Sequence, residues 1–167
     1  ITKCTADNPE FFDASYNARG QQIYRALVLL LKSKGVKDFY FGLEPVKSGT
    51  SAYLLEEHHI FPKNSSEGKR IIERYKETKN SDIINNIANI ALITNDTNNK
   101  RIKAKNPSEY ITQFENEYKN ANKYGEFLKI MESQFISPDM IELLKANKFD
   151  EFVFQRTKLL NEQIDNL

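Results

Sequence analysis

The sequence predicts an α+β fold that is mostly helical, with a small strand–loop–strand–helix element in the middle and helices on both sides of it. Three observations carry this. Residues 20–33 hold Ile23, Tyr24, Ala26 and an unbroken Leu27-Val28-Leu29-Leu30-Leu31, apolar on nearly every side, as a central core helix would be. Two short segments, 51–60 and 87–94, read as extended chain. The second half opens helices twice with the same signal, Asn106-Pro107-Ser108-Glu109 and Ser137-Pro138-Asp139, a capping side chain followed by proline at the first helical position.

The elements follow in order. Gly35 is a natural stop for the first helix. Asp38 to Gly42 is an aromatic run expected to be a strand or an extended segment, and Lys47 to Thr50 a loop. The extended segment from Ser51 ends at Phe61-Pro62, because proline cannot continue a central ladder. Glu67 to Lys79 predicts a helix with Ile71, Ile72 and Tyr75 on its buried side. Ile87 to Thr94 is β-branched enough for a strand, and Asn95 to Lys103 predicts a helix after it. Behind Asn106, where Glu109 completes a capping box, come Tyr110, Ile111, Phe114 and Tyr118 at helical spacing. Met140, Ile141 and Leu144 follow the Ser137 start. A last helix carries Phe149, Phe152, Val153, Leu159, Leu160 and Ile164. The chain has 167 residues, which suits one domain over 1–167, with a core motif at 51–105 and a helical part at 106–167. It begins with Ile1 rather than Met, so we read it as a fragment of a longer protein.

Composition narrows the function classes. The longest apolar run, Ala26 to Leu31, is far below the roughly 20 residues that span a bilayer, and the N-terminal residues lack a secretory signal pattern. One cysteine, Cys4, allows neither an internal disulfide nor a multi-cysteine zinc site. Both features fit a cytoplasmic protein. The net charge of +1 neither demands nor excludes nucleic acid, since local patches decide that. One patch exists, Lys100, Arg101, Lys103 and Lys105, which on its own reads as a solvated helix face.

The chemistry concentrates in two places. The only two histidines are adjacent, in Glu56-Glu57-His58-His59-Ile60-Phe61-Pro62-Lys63. Neighbours on a strand face opposite ways, so one imidazole can face a metal while the other faces a substrate. Imidazole suits both tasks, as a neutral ligand and as a base near neutral pH. A histidine pair is equally an ordinary polar strand end. Farther on, Asn89 precedes the apolar strand, and Asn98 follows nine residues later. Asparagine offers a hard oxygen that suits magnesium or manganese, and it is also a common cap and turn residue.

Together, His-His before Ile-Phe-Pro, then Asn89, then Asn98, resemble the HNH nuclease pattern, in which a hairpin and helix (the ββα-metal finger) grip one divalent metal. HHIFPK, followed by NIANIALITNDTNNKRI and KNPSEYI, is similar to the C-terminal nuclease domain of GmrSD-type restriction proteins of bacterial phage defence. The resemblance runs from about Arg19 to Ile111 and is strongest from Glu56 on. It implies a metal-dependent endonuclease that hydrolyses DNA, leaving a 5′ phosphate and a 3′ hydroxyl. His59 matches the general base, His58 the first metal ligand and Asn98 the second. Asn89 matches the residue that pins the loop and orients the base, without ligating the metal. The implied cofactor is one divalent ion, Mg²⁺ first, with Mn²⁺, Ni²⁺ or Zn²⁺ as softer choices. Lys100, Arg101, Lys103 and Lys105, with Lys63, then become contacts to backbone phosphates. Implied partners are double-stranded DNA, an N-terminal ParB-like domain outside this chain and a second copy of the chain, in a bacterial cytoplasm.

Two departures stand out. Ile102 occupies the position of a third ligand found in some HNH enzymes. Thirty residues separate His59 from Asn89, enough for an inserted helix. Other readings are an RNase or nicking enzyme on the same fold, a non-catalytic nucleic-acid-binding module, and a helical interaction domain that resembles the motif by chance. Geometry separates the last from the rest. A shared metal requires His58 and Asn98 to converge within about 4 Å.

Overall fold

A computed structural model describes residues 20–45 and 53–165 of the chain. The expectations for Cys4, the N-terminal residues, the loop at Lys47–Thr50 and the first residues of the 51–60 segment lie outside the described residues.

The apolar run forms helix α1, Gly20–Ser33. Tyr24, Leu27, Leu30 and Leu31 are buried, but Leu29 is 68% exposed. The helix is therefore covered on one side and not all round, a correction to its reading as a central helix. Gly35, at φ +66°, ends it, in the left-handed region that glycine enters without steric cost.

The aromatic run that follows is a turn and not a strand. One carboxylate accounts for the difference. Asp38 Oδ1 accepts the backbone N–H groups of Tyr40 and Phe41 at 2.9 and 2.8 Å, which curls the chain into an Asx-type turn. Its other oxygen accepts the Thr94 N–H at 2.7 Å.

Strand β1, Leu55–His59, pairs antiparallel with strand β2, Ile90–Thr94, with His58 opposite Ala91 and His59 opposite Ile90. The expected strands are both present but shorter. Residues 87–89 form a 3₁₀ turn before β2. A two-stranded sheet leaves each strand with a free edge, and β2 is buried along its whole length, so its outward backbone groups need partners inside the protein. Side chains supply them. Arg156 donates to Ile90 O at 2.7 Å. The Gln134 amide accepts from Leu92 N at 3.3 Å and donates to Leu92 O at 2.6 Å. Asp38 takes Thr94 N. Three side chains, Asp38 from the turn after α1 and Gln134 and Arg156 from the C-terminal half of the chain, thus stand where a third strand would be.

Between the strands lies helix α2, Ser66–Tyr75, ending earlier than expected. Ser65 caps it, accepting the Gly68 N–H at 3.0 Å and donating to Pro62 O at 2.7 Å. This draws the first turn of α2 against the Phe61-Pro62 backbone. A Cβ on Gly68 would sit 2.0 Å from Pro62 O. Gly68→Ala is accordingly expected to cost about 2 kcal/mol or more in urea unfolding, because backbone must move to admit one methyl group. Unchanged stability would show that this contact is looser than described.

The segment after β2 is helical, as expected, but wound as a π-helix over Thr97–Ile102, a form frequent at functional sites. Ile102 is fully buried, a core residue. Helices α3, Pro107–Asn120, α4, Tyr124–Ser133, α5, Pro138–Lys145, and α6, Phe149–Asp165, complete the fold. Both proline-led starts are found. At the first, Glu109 accepts the Asn106 N–H at 2.8 Å. The Asn106 amide oxygen reaches across to α2 and accepts the Glu67 N–H at 2.9 Å. The core runs between hairpin and helices, with Phe61 against Phe149 and Phe152 and Tyr110 donating to Ile60 O at 2.7 Å. The architecture is α+β, mostly helical around a two-stranded antiparallel sheet. No helix among the described residues is long and apolar enough to cross a membrane.

Candidate functional site

A cleft of about 510 Å³ opens where the end of β1, the Pro62–Asn64 turn and the π-helix meet. His58, His59, Lys63, Asn98 and Lys103 line it. The two histidines and Asn98, singled out by sequence, therefore share one cavity.

His58 is buried, 3% exposed. Its Nδ1 lies 3.0 Å from Asn98 Oδ1, although forty residues separate the two in sequence. Period-two alternation puts Glu56 on the same face of β1 as His58, and Glu56 Oε2 accepts from Asn98 Nδ2 at 2.6 Å. The carboxylate thereby turns the carbonyl oxygen of Asn98 toward His58. Asn95 also donates to Glu56. Burial pushes the His58 imidazole down to about 3, against the Asn98 hydrogen bond, which raises it. It is neutral at physiological pH, the form that ligates metal. Its Nε2 is buried and has no hydrogen-bond partner among the described residues.

As it stands the His58–Asn98 contact is a hydrogen bond, Nδ1 donating to Oδ1 because the Asn98 amide nitrogen is turned to Glu56; its length would also suit two ligands of one divalent ion. Two ligands about 2.1 Å from one cation and at right angles lie about 3.0 Å apart, as His58 Nδ1 and Asn98 Oδ1 do. Ligation through Nδ1 would put the ring proton on Nε2. Among the described residues there is no cluster of three His, Cys, Asp or Glu side chains that could hold a metal, so this pair would rely on water or substrate oxygens for the rest of its shell.

His59 is half-buried, and its Nε2 lies 3.0 Å from Asn85 Oδ1. Asn85 Nδ2 donates to Asp82, which orients the amide with its oxygen toward His59. The network therefore assigns the proton to Nε2 and leaves Nδ1 bare. Burial lowers the His59 pKa from its usual value. The Asn85 hydrogen bond opposes this, Lys63 adds to it, and Glu57 and Asp82 also oppose it. The ring is neutral at pH 7 and able to accept a proton.

Asn89 is completely buried. It pins the loop after His59: its Oδ1 accepts from Phe61 N at 2.9 Å, and its Nδ2 donates to Ile84 O at 2.9 Å. Its backbone oxygen accepts from Ile60 N at 2.8 Å. The side chain that meets His59 is Asn85, inside the thirty-residue insertion. The sequence pattern points to Asn89 for the whole task; Asn85, one asparagine among many, carries no distinguishing signal. Glu56 was legible in principle, two residues before His58 on a strand.

The basic run does not act as a unit. Lys100 pairs with Asp96. Arg101 lies over the Tyr40 ring at 4.3 Å. Lys105 donates to Gln113 at 2.9 Å. Lys103 alone of the four lines the cleft, and Lys63 lines it too.

An uncharacterized protein of Methanocaldococcus jannaschii is 31% identical to this chain over 156 residues, covering 80% of this chain and 25% of that protein. The chain thus spans about a quarter of the length of that relative. No protein family and no solved structure matches the chain.

Proposed function

We propose that the chain is a metal-dependent endonuclease domain of the HNH type, hydrolysing phosphodiester bonds in DNA, in keeping with a role in restriction or phage defence. One observation carries the reading: His58 Nδ1 and Asn98 Oδ1 meet at 3.0 Å in the cleft that also holds His59. In this reading His58 and Asn98 hold one divalent ion, Mg²⁺ or Mn²⁺ first. The ion, when bound, would supply positive charge for the phosphate and the leaving oxygen. His59, neutral and with Nδ1 bare, takes the proton from the attacking water. Asn85 and Asp82 fix its ring orientation, and Asn89 holds the Ile60–Phe61 backbone that follows it. Glu56 keeps Asn98 turned toward His58.

The direct test is cleavage of plasmid DNA by the purified chain with added Mg²⁺ or Mn²⁺, comparing wild type with His59→Ala. Metal-dependent cutting lost in the variant supports the reading, and equal activity in both removes His59 from it. Glu56→Leu removes the acceptor of the Asn98 amide and is expected to weaken Mn²⁺ binding about 10–100-fold by titration calorimetry. Unaltered affinity would exclude Glu56 from orienting the ligand.

A further inference from the structure

We infer that Lys103 and Lys63 form a two-lysine clamp for a backbone phosphate in the cleft, and that Lys103 is held there against its own backbone preference. This rests on the nuclease reading above and deepens it by naming which cations meet the substrate.

The first observation is selection by geometry. Of the five basic side chains near the motif, Lys100, Arg101 and Lys105 are engaged elsewhere in the protein. Lys63 and Lys103 are exposed, line the same cleft as His58, His59 and Asn98, and make no ion pair among the described residues. One carboxylate, Glu57, lines that cleft with them. A lysine without a carboxylate partner keeps its charge available to a phosphate oxygen.

The second observation is independent of the first. Lys103 has φ +56° and ψ −119°, and the Lys105 N–H bonds to Ile102 O at 3.1 Å around it. That is the first corner of a type II′ turn, a position dominated by glycine because a Cβ is strained there. The turn is braced from the π-helix by the Lys103 N–H on Asn98 O at 2.8 Å, so the strained residue hangs directly from the backbone of the proposed ligand. Strain of this kind persists where surrounding structure over-determines it and clusters at ligand sites. A strained, exposed lysine at a position that lines the cleft is explained by what its side chain binds there.

In the full chain, Lys103→Gly is expected to raise Tm by about 2–4 °C, since relief of strain outweighs the extra freedom glycine adds to the unfolded chain. It is expected at the same time to weaken binding of a fluorescein-labelled DNA duplex, measured by anisotropy without divalent metal. The slope of log affinity against log salt should fall by about 0.9, one phosphate contact. Lys63→Ala should lower the slope equally without raising Tm, and Lys100→Ala should leave it unaltered. A Lys103→Gly variant that binds as wild type, or that is no more stable, overturns the clamp while the nuclease reading stands. A wild-type chain that binds no duplex overturns both.

Discussion

His59→Ala is expected to reduce metal-dependent cleavage by about 10²–10⁴-fold, the range general-base catalysis supplies. Asn85 accepts from one ring nitrogen, Nε2, and the Asp82 carboxylate orients Asn85. Burial holds the ring below its usual pKa, so the base is unprotonated at pH 7. Alanine removes the acceptor and leaves His58, Asn98 and Glu56 untouched. The loss should therefore fall on the rate of a single turnover, with Mn²⁺ affinity by calorimetry retained. The side chain is only half-buried, so stability should change by no more than about 1 kcal/mol. A variant that loses metal binding along with activity would make His59 a ligand, and the assignment of the two histidines would have to be exchanged.

Arg156→Met is expected to destabilise the fold by about 3 kcal/mol in denaturant unfolding, the largest effect on stability expected here of any single side chain. Arg156 is fully buried and donates only to carbonyls, to Ala88 O and Ile90 O at 2.7 Å and to Gln134 O at 2.9 and 3.2 Å. Burial lowers its pKa to about 9, so the guanidinium stays charged at neutral pH. Methionine fills much of the volume but leaves three carbonyls without their donor, at about 1–3 kcal/mol each. Relief from burying a cation offsets part of that. Ala88 and Ile90 flank Asn89, so the loosened backbone is the one that holds the loop after His59. Stability equal to wild type would mean that the buried charge costs as much as its hydrogen bonds contribute.

Much of the architecture was legible in the sequence, for local reasons. The Asn106 and Ser137 starts lie next to the proline and the apolar positions that define their helices. The β-branched run before Asn95 marks its own strand, and the adjacency of His58 and His59 was visible by inspection. The aromatic run at Asp38 misled because apolar density suggests extended chain. The opposing signal, an aspartate able to accept two nearby N–H groups, has no periodicity.

By itself the sequence determined an α+β chain with its helix starts, a histidine pair at a strand end, and Asn98 in a helix behind the second strand. Tertiary structure alone decided the rest. It brought Asn98 to His58 across forty residues, gave His59 to Asn85 rather than Asn89, and turned three of four basic side chains away from the cleft. It also closed the edge of β2 with Asp38, Gln134 and Arg156. The physical reason is common to all of these. Periodicity and capping report interactions within a turn or two of chain. The satisfaction of a buried polar group depends on whichever donor or acceptor the packed fold brings within 3 Å or so, and that leaves no mark on neighbouring residues.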